Sequence, residues 1–215
     1  MAALGIIGTD GNGYTLLDEL NRMGVRTELL VRSADRFTPT YTKPMRRAPD
    51  GAEAEMQRID VKNRTRTSRE LEEMVIKNLR AALPEADAVI IGDQVQEEDC
   101  GTVTAAVRYE AAALAEMYST SFFFADSRCH IGKFRNMMIK PNQREAAEAS
   151  GCRNKPLELV LKTLWEGCKR PVFITRGADG IAAFDGDKIW LAPAPPVTVQ
   201  ANPQRHLAEP GSGRA

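Results

Sequence analysis

The residues with the clearest chemical potential lie in the segment MMIKPNQREAAEAS, where Asn142 precedes Glu145 by three positions. The spacing has two interpretations. Asparagine is a favoured N-cap residue, and a glutamate three residues later completes a capping box, so the pair can simply begin a helix. If both side chains instead face a cleft, the carboxylate can hold Mg²⁺ through water while the amide positions phosphate oxygens. Taken alone, the pattern favours the helix cap.

Three further polar side chains follow apolar runs that are typical of buried strands. Asp93 ends DAVIIGD, Asp126 lies near the end of SFFFADSR, and Thr175 lies within VFITRGADG. The aspartates can be ordinary acids at helix N-termini, and Gly177 and Gly180 can supply the positive φ angles of a tight turn. In the functional interpretation, two aspartates on neighbouring strands form a cation- or hydroxyl-binding cleft. A threonine hydroxyl beside bare backbone could then approach a phosphate or a base.

Two other segments are ambiguous in the same way. TPTYTKP is either a polar edge strand or a place where Thr38, Thr40 and Lys43 contact a polar or phosphorylated substrate. GTDGNG, residues 8–13, is rich in glycine, but it matches neither the dinucleotide fingerprint G-x-G-x-x-G nor a Walker A loop. We therefore interpret residues 8–13 as a turn.

Composition limits the classes of partner. The chain has 215 residues, and 29 Lys and Arg balance 29 Asp and Glu, so charge gives no basis for a nucleic-acid or anionic-membrane partner. No apolar run is long enough to span a bilayer, and the N-terminus lacks the features of a secretory signal. The cysteines form no C-x-x-C pair, which indicates reduced thiols and a cytoplasmic location. We interpret His130 as a loop residue rather than a metal ligand.

The elements that must position these residues can be predicted from hydrophobic periodicity. The chain begins as a β-α-β unit, with strand, helix and strand at 3–8, 14–23 and 25–31. Residues 37–47 are β-prone, but Pro39 and Pro44 interrupt them, which favours an edge or lid strand. Residues 56–63 alternate like a half-exposed strand.

From about residue 68, helices alternate with apolar strands. Helices are predicted at 68–83, 100–118, 143–150 and 157–168, strands at 87–93, 121–128 and 135–140, a strand with a glycine turn at 171–180, and a hairpin at 181–193.

This alternation predicts an α/β fold with a doubly wound, mostly parallel sheet and helices on both faces. A small β lid would occupy about residues 25–62. Ligands bind such sheets at the carboxyl ends of the strands, so Asp93, Asp126, Asn142 and Thr175 should line one edge. We assign residues 1–196 to this domain, and residues 197–215, which lack periodicity, to an irregular tail.

Taken in order, six segments resemble the PfkB/ribokinase-like family of ATP-dependent carbohydrate kinases. LGIIGTDGNGYTLLDELNRMGVRTELLV resembles the family's first glycine-containing segment, and FTPTYTKPMR its threonine-rich lid, especially in the heptose-phosphate-kinase-like branch. DAVIIGDQ and FFFADSR stand where that branch has Ser-Asp-Tyr and Asp-Pro-Lys, with Ser127 in place of proline. MIKPNQREA is similar to the family's Pro-Asn-x-x-Glu, and VFITRGADGIAAF to its nucleotide-side strand and hairpin. The resemblance covers residues 3–196.

This resemblance implies ATP and Mg²⁺ as cofactors and a sugar or sugar phosphate as substrate, with in-line phosphoryl transfer. It implies that Glu145 holds Mg²⁺ through water. The implied nucleotide and phosphate contacts are Asn142, Glu145, Thr175, Gly177, Gly180 and Arg128. The implied substrate and lid contacts are Thr38, Thr40, Lys43, Asp93 and Asp126. Pairing of lid strands between subunits would give a homodimer.

The same resemblance raises an expectation about activity. Family members carry a substrate-binding portion before the first segment and a Gly-x-Gly-Asp motif after the hairpin, whose Asp is the catalytic base. No Gly-x-Gly-Asp occurs in this sequence, so we assign no catalytic residue and predict truncation at both ends. We hypothesise that residues 197–215 come from a shifted reading frame. The expected function is an impaired carbohydrate kinase. The alternatives are an inactive nucleotide-binding or truncated fragment and a nucleotide-binding regulator on a Rossmann-like sheet.

Overall fold

A computed structural model describes residues 1–49 and 51–196 of the chain. The predicted tail, residues 197–215, lies outside the described residues. In the described part, no helix is both long and apolar enough to cross a membrane.

The chain begins with the predicted β-α-β unit. Its elements are β1 (Gly5–Gly8), α1 (Gly11–Arg22) and β2 (Leu30–Ser33), and the two strands pair in parallel. α1 begins earlier than predicted because Oδ1 of Asp10 accepts a hydrogen bond from the backbone N–H of Gly13 at 2.7 Å and caps the helix. β2 begins later than predicted because residues 27–30 first close a turn.

The lid consists of two short antiparallel pairs. They are β3 (Thr40–Thr42) with β6 (Ile59–Val61), and β4 (Met45–Arg47) with β5 (Glu53–Glu55). We use "lid" for residues 40–61, because residues 30–33, which the sequence prediction included, pair with β1 instead. Pro39 and Pro44 lie just outside β3, as expected for residues that lack a backbone donor.

The main sheet has six strands in the order β12-β11-β10-β9-β8-β7. The first four along the chain pair in parallel, and β10, β11 and β12 pair antiparallel. The strands are β7 (Ala88–Asp93), β8 (Phe122–Ser127), β9 (Met138–Ile139), β10 (Val172–Thr175), β11 (Ile181–Phe184) and β12 (Ile189–Ala192). The helices are α2 (Arg69–Ala82), α3 (Ala105–Met117), α4 (Gln143–Ser150) and α5 (Leu157–Cys168).

The predicted hairpin forms between β11 and β12. The carboxylate Oδ1 of Asp185 accepts hydrogen bonds from the backbone N–H groups of Asp187 and Lys188, at 2.9 and 2.8 Å. The hydrogen bond from the backbone N–H of Lys188, together with that from Asp187, lowers the pKa of Asp185 to about 2. Asp185 therefore holds the DGD turn in its ionised form.

The core lies on one face of the six-stranded sheet. Alternate strand residues such as Phe123, Ile139 and Ile174 pack there against α3, α4 and α5, with Leu161 of α5 fully buried among them. The α/β fold class is confirmed. Within the described residues, however, the helices do not cover both faces of this sheet, because the apolar stripes of α3, α4 and α5 all converge on the same core.

Leu161 gives a direct test of this core. We expect Leu161→Ala to lower the free energy of unfolding by about 2–5 kcal/mol, because it removes a fully buried side chain and leaves a cavity. Leu159→Ala on the same helix is the matched control, since Leu159 is 45% exposed. Urea unfolding of both variants measures the difference. Equal losses of stability would contradict the assignment of the core.

Candidate functional site

The carboxyl ends of β7 to β10 meet at one edge of the sheet. Gly92 pairs with Asp126, so Asp93 and Asp126 lie at adjacent strand ends. Beyond β9, Asn142 forms a parallel bridge with Thr175. The four residues predicted from strand ends therefore lie along a single edge, which we call the carboxyl edge.

Asn142 and Glu145 form the capping box that their spacing allows. Oδ1 of Asn142 accepts a hydrogen bond from the backbone N–H of Glu145 at 2.9 Å, and Oε2 of Glu145 accepts one from the backbone N–H of Asn142 at 2.8 Å. Asn142 is exposed and Glu145 is half-buried. Oε1 of Glu145 and the amide nitrogen of Asn142 have no hydrogen-bond partner among the described residues, so capping leaves each side chain one polar atom for a ligand.

An open cleft of about 700 Å³ adjoins this capping box. It runs from the N-terminus of α4 to the turn after β10 and the end of β12. Its lining residues include Asn142, Arg144, Thr175, Gly177, Gly180, Ile181 and Pro193. Both glycines adopt positive φ, 59° and 82°, as a tight turn requires. A Cβ on Gly180 would collide with the carbonyl of Ala192, so the glycine lets the hairpin pack closely against the cleft.

Asp93 is buried rather than open to solvent, with 4% of its surface exposed. Its Oδ2 accepts a hydrogen bond from Oγ of Ser127 at 2.7 Å and lies 3.1 Å from Nδ1 of His130. His130 is also buried, whereas the sequence predicts only a loop residue. Asp93 also lines a cleft of about 200 Å³ between the sheet and the residues at the start and end of the lid, Tyr41 and Asn63. Oδ2 of Asp93 is therefore engaged within the protein by Ser127 and His130.

Asp126 and Arg128 lie at the same edge with more solvent contact. Oδ2 of Asp126 is 3.2 Å from Nζ of Lys140, and both side chains are about one-third exposed. Lys140 was missed by sequence reasoning, although its position two residues before Asn142 was a usable signal. The half-buried side chain of Arg128 has no partner among the described residues, so the edge carries one paired and one unpaired cation.

The predicted lid contacts take several different positions. Thr38 is buried, and its hydroxyl donates to Oδ1 of Asp10 at 2.8 Å and accepts from the backbone N–H of Gly8 at 2.9 Å. This differs from the predicted substrate contact, because the hydroxyl joins residues 34–39, the segment before the lid that we call the lid hinge, to the glycine-rich turn after β1. Thr40 belongs to β3, and Lys43 pairs with Glu55 at 3.1 Å on the lid surface.

The lid hinge is fixed by further contacts of the same kind. Oδ2 of Asp10 accepts a hydrogen bond from the backbone N–H of Thr38 at 2.9 Å, and Asn63 bonds both backbone groups of Phe37. The guanidinium of buried Arg36 donates to the carbonyl of Thr65 and to that of Cys100. The two segments that connect the lid are thereby tied to each other and to the loop after β7.

The chain matches the pfkB family of carbohydrate kinases over residues 1–201. It belongs to that family. Among curated proteins it is 28% identical over 186 residues to the bifunctional protein HldE of Wolinella succinogenes, covering 84% of this chain and 37% of the relative. The HldE of Helicobacter hepaticus is 25% identical over 194 residues, covering 88% and 38%. The chain therefore spans less than two-fifths of the length of these relatives.

Solved structures support the same fold. The protein Sa239 superposes with a TM-score of 0.68 at 18% identity, covering 92% of this chain and 62% of that one. The ribokinase of Thermotoga maritima gives 0.59 at 16% identity, covering 92% and 61%. A protein described as ribokinase II from E. coli, solved in complex with ATP and Mg²⁺, gives 0.62 at 14% identity, covering 91% and 63%. At these identities the likeness establishes the ribokinase-like fold alone.

The hydrogen bonds of Asp10 at the lid hinge should make the stability of the protein depend on pH. The hydrogen bond from the backbone of Thr38 is the main cause that lowers the pKa of Asp10 below its ordinary 3.8. Because the folded pKa is depressed, the stabilisation is present above pH 3.8 and is lost as pH falls through the lowered folded value. We expect Asp10→Asn to be less stable than wild type at neutral pH, with the difference shrinking in acid. Urea titrations over a pH series measure this.

Asp35→Asn is the matched control for the hinge. Asp35 lies in the loop after β2 that also contains Thr38, but its carboxylate makes no hydrogen bond among the described residues, so the stability difference of Asp35→Asn from wild type should stay small throughout. A difference for Asp10→Asn that does not change with pH would contradict the assignment.

Proposed function

We propose that this chain binds ATP with Mg²⁺ across the carboxyl edge and transfers the γ-phosphoryl group to a hydroxyl of a sugar or sugar phosphate. The observation that carries the proposal is the backbone bridge between Asn142 and Thr175, which joins the capping box to the 700 Å³ cleft. Membership of a carbohydrate kinase family supports the reaction class. The ATP and Mg²⁺ in one of the structural neighbours support the cofactors.

The residues at the capping box fit a hydrated magnesium ion. Mg²⁺ in nucleotide sites is commonly held by one or two carboxylates, water and substrate phosphates rather than by a protein cage. Glu145 offers one free carboxylate oxygen, and no group of three or more His, Cys, Asp or Glu residues in the described part of the chain could form a cage. Glu145 would therefore hold the ion through water, and the bound ion would neutralise phosphate charge.

The chain's own groups would position the nucleotide. The first backbone N–H groups of α4 and the positive end of its dipole favour phosphate, and Arg144 lines the same cleft. Thr175 and the bare backbone at Gly177 and Gly180 would contact the nucleotide. Arg128 would pair with phosphate oxygens, since its guanidinium has no partner among the described residues. This placement would orient the γ-phosphate for in-line attack.

The substrate would occupy the smaller cleft beneath the lid. That cleft is lined by polar side chains suited to hydroxyl groups, including Tyr41, Asn63, Asp93, Gln94 and Thr102. Asp126, held beside Lys140, lies at the same carboxyl edge, between this cleft and the proposed phosphate site. We propose sugars and sugar phosphates, including heptose phosphates, as the substrate class.

A second candidate function is nucleotide binding without turnover. The carboxylates at the described part of the carboxyl edge are all engaged: Asp93 with Ser127 and His130, Asp126 with Lys140, and Glu145 in its capping box. None of them is placed as an unencumbered general base for a substrate hydroxyl. ATP turnover with a panel of sugars and sugar phosphates, beside calorimetric nucleotide binding, separates the two candidates.

Turnover at ordinary kinase rates of about 1–100 s⁻¹ would favour the kinase, and binding without turnover the second candidate. We expect nucleotide binding in either case. Absence of binding with Mg²⁺ present would contradict both.

Glu145 and Asn142 allow capping and ligand binding to be measured separately. We expect Glu145→Gln to weaken binding of ATP with Mg²⁺ about tenfold, because the carboxylate is lost. Its unfolding free energy should change by less than about 0.5 kcal/mol, because glutamine also completes a capping box. Asn142→Ala should cost about 0.5–2 kcal/mol of stability as well as affinity. Calorimetry and urea unfolding measure the two effects, and unchanged affinity in Glu145→Gln would contradict the metal assignment.

A further inference from the structure

Three buried polar side chains meet at the carboxyl edge, and the proposed function uses only one of them. Asp93 is the last residue of β7 and Ser127 the last of β8, and the two are partners in the parallel register. His130 follows three residues later, just before a single 3₁₀ turn. All three are buried. A carboxylate in this position needs a physical account, because burying its charge is costly unless donors surround it.

Ser127 and His130 both direct donors at the same carboxylate oxygen. The hydroxyl of Ser127 accepts a hydrogen bond from the backbone N–H of His130 at 2.9 Å, so its own proton is left for Oδ2 of Asp93, 2.7 Å away. Nδ1 of His130 lies 3.1 Å from the same oxygen. Since an ionised carboxylate can only accept, this contact requires the ring proton on Nδ1. Two donors thus offset the cost of burying the charge.

Backbone contacts hold these donors in place. The carbonyl of Asp93 accepts a hydrogen bond from the backbone N–H of Arg128 at 3.0 Å. The carbonyl of His130 accepts one from the backbone N–H of Lys133 at 2.8 Å. The register of β7 and β8 fixes Ser127 opposite Asp93. The cluster therefore has little freedom to rearrange, and Oδ2 of Asp93 is anchored by two donors of fixed position.

The other oxygen of Asp93 is left for a ligand. None of the described residues donates a hydrogen bond to Oδ1, yet this atom is not sealed from solvent, and the side chain lines the cleft of about 200 Å³ beside the lid. Arg36 lines the same cleft, but its guanidinium is directed elsewhere and donates to the carbonyls of Thr65 and Cys100. Oδ1 is therefore an acceptor of fixed orientation that a ligand in the cleft can reach.

We propose that Ser127 and His130 are positioning residues, which anchor Oδ2 of Asp93 so that Oδ1 accepts a hydrogen bond from a hydroxyl of a polyol in the smaller cleft. The inference rests on the proposed function, which places a sugar or sugar phosphate in that cleft. It adds which part of the molecule lies there, because an ionised carboxylate accepts from a hydroxyl and repels a phosphate group. The hydroxyl-bearing part lies against Asp93, and any phosphate group is directed away from it. An anchored carboxylate also binds more tightly than a freely rotating one, since less conformational entropy is lost.

Sugar binding tests the positioning role without requiring turnover. Saturation-transfer NMR titrations of the full chain use ribose, fructose, fructose 6-phosphate and sedoheptulose 7-phosphate as probes. With the probe that binds most tightly, we expect His130→Phe and Ser127→Ala each to weaken binding about tenfold, because each removes one donor to Asp93. His130→Asn should bind within about threefold of wild type, since its amide can donate from near the position of Nδ1.

Two controls separate positioning from support of the fold. Urea unfolding reports the loss of stability, which a purely structural role would also produce, whereas such a role would leave the sugar affinity of the folded variants unchanged. Cys129→Ala alters the exposed neighbour of His130 and should keep the wild-type affinity for the sugar. Calorimetry with ATP and Mg²⁺ should give the same nucleotide affinity for Ser127→Ala, His130→Phe and wild type, because the nucleotide cleft does not include these residues.

The ring proton of His130 gives a second readout that is independent of any ligand. At about pH 9 an imidazole is neutral, and ¹⁵N NMR of the ring nitrogens shows which of them carries the proton. We expect the proton of His130 on Nδ1, where it can be donated to Asp93. The chain has one other histidine, His206, and the spectrum of His130→Asn distinguishes the two sets of signals.

The inference would be overturned by unchanged sugar affinity in both Ser127→Ala and His130→Phe, by equal losses in His130→Phe and His130→Asn, or by a proton of His130 on Nε2 alone. Failure of all four probes to bind the wild-type chain would also overturn it, even where ATP binds. Sugar affinities in the expected order, in a chain that binds no nucleotide, would support the inference and contradict only the nucleotide site of the proposed function.

Discussion

Parallel pairing of β7 through β10 is the constraint on which the candidate site depends. Because these strands run in one direction, their carboxyl ends fall at one edge. β9 contributes only Met138 and Ile139 but pairs with both neighbours. Pro141 follows immediately, and its carbonyl accepts a hydrogen bond from the backbone N–H of Thr175 at 3.0 Å. Backbone pairing, rather than side-chain contact, thus fixes the capping box beside the turn after β10.

This arrangement explains how one pair of residues can have two roles. Capping uses Oδ1 of Asn142 and Oε2 of Glu145, which restricts both side chains at the start of α4. The remaining amide nitrogen and carboxylate oxygen are held at the cleft without a protein partner in the described part of the chain. A ligand would meet preorganised groups, so less conformational entropy is lost on binding. Helix capping and phosphate binding are therefore compatible explanations of the same motif.

Apolar runs and helix periodicity predicted the order of elements and the shared carboxyl edge, because both follow from local pattern. The contacts that sequence could not reveal join distant residues. The buried hydroxyl of Thr38 is hydrogen-bonded to Asp10. His130 lies against Asp93, and Lys140 is paired with Asp126. The predicted strand at 135–140 shortens because Asn136 adopts a positive φ of 59°. The described helices cover only one face of the six-stranded sheet, because their apolar stripes converge on a single core. Helix periodicity alone does not specify on which face of a sheet a stripe packs.

The central claim is that nucleotide binds at the carboxyl edge, between α4 and the turn after β10. Amide hydrogen exchange of the full chain, with and without a non-hydrolysable ATP analogue and Mg²⁺, tests it most directly. The account predicts slower exchange at residues 142–146 and 175–181, and no change at the exposed outer surface of α3. Protection confined to other segments, or none at saturating nucleotide, would contradict it.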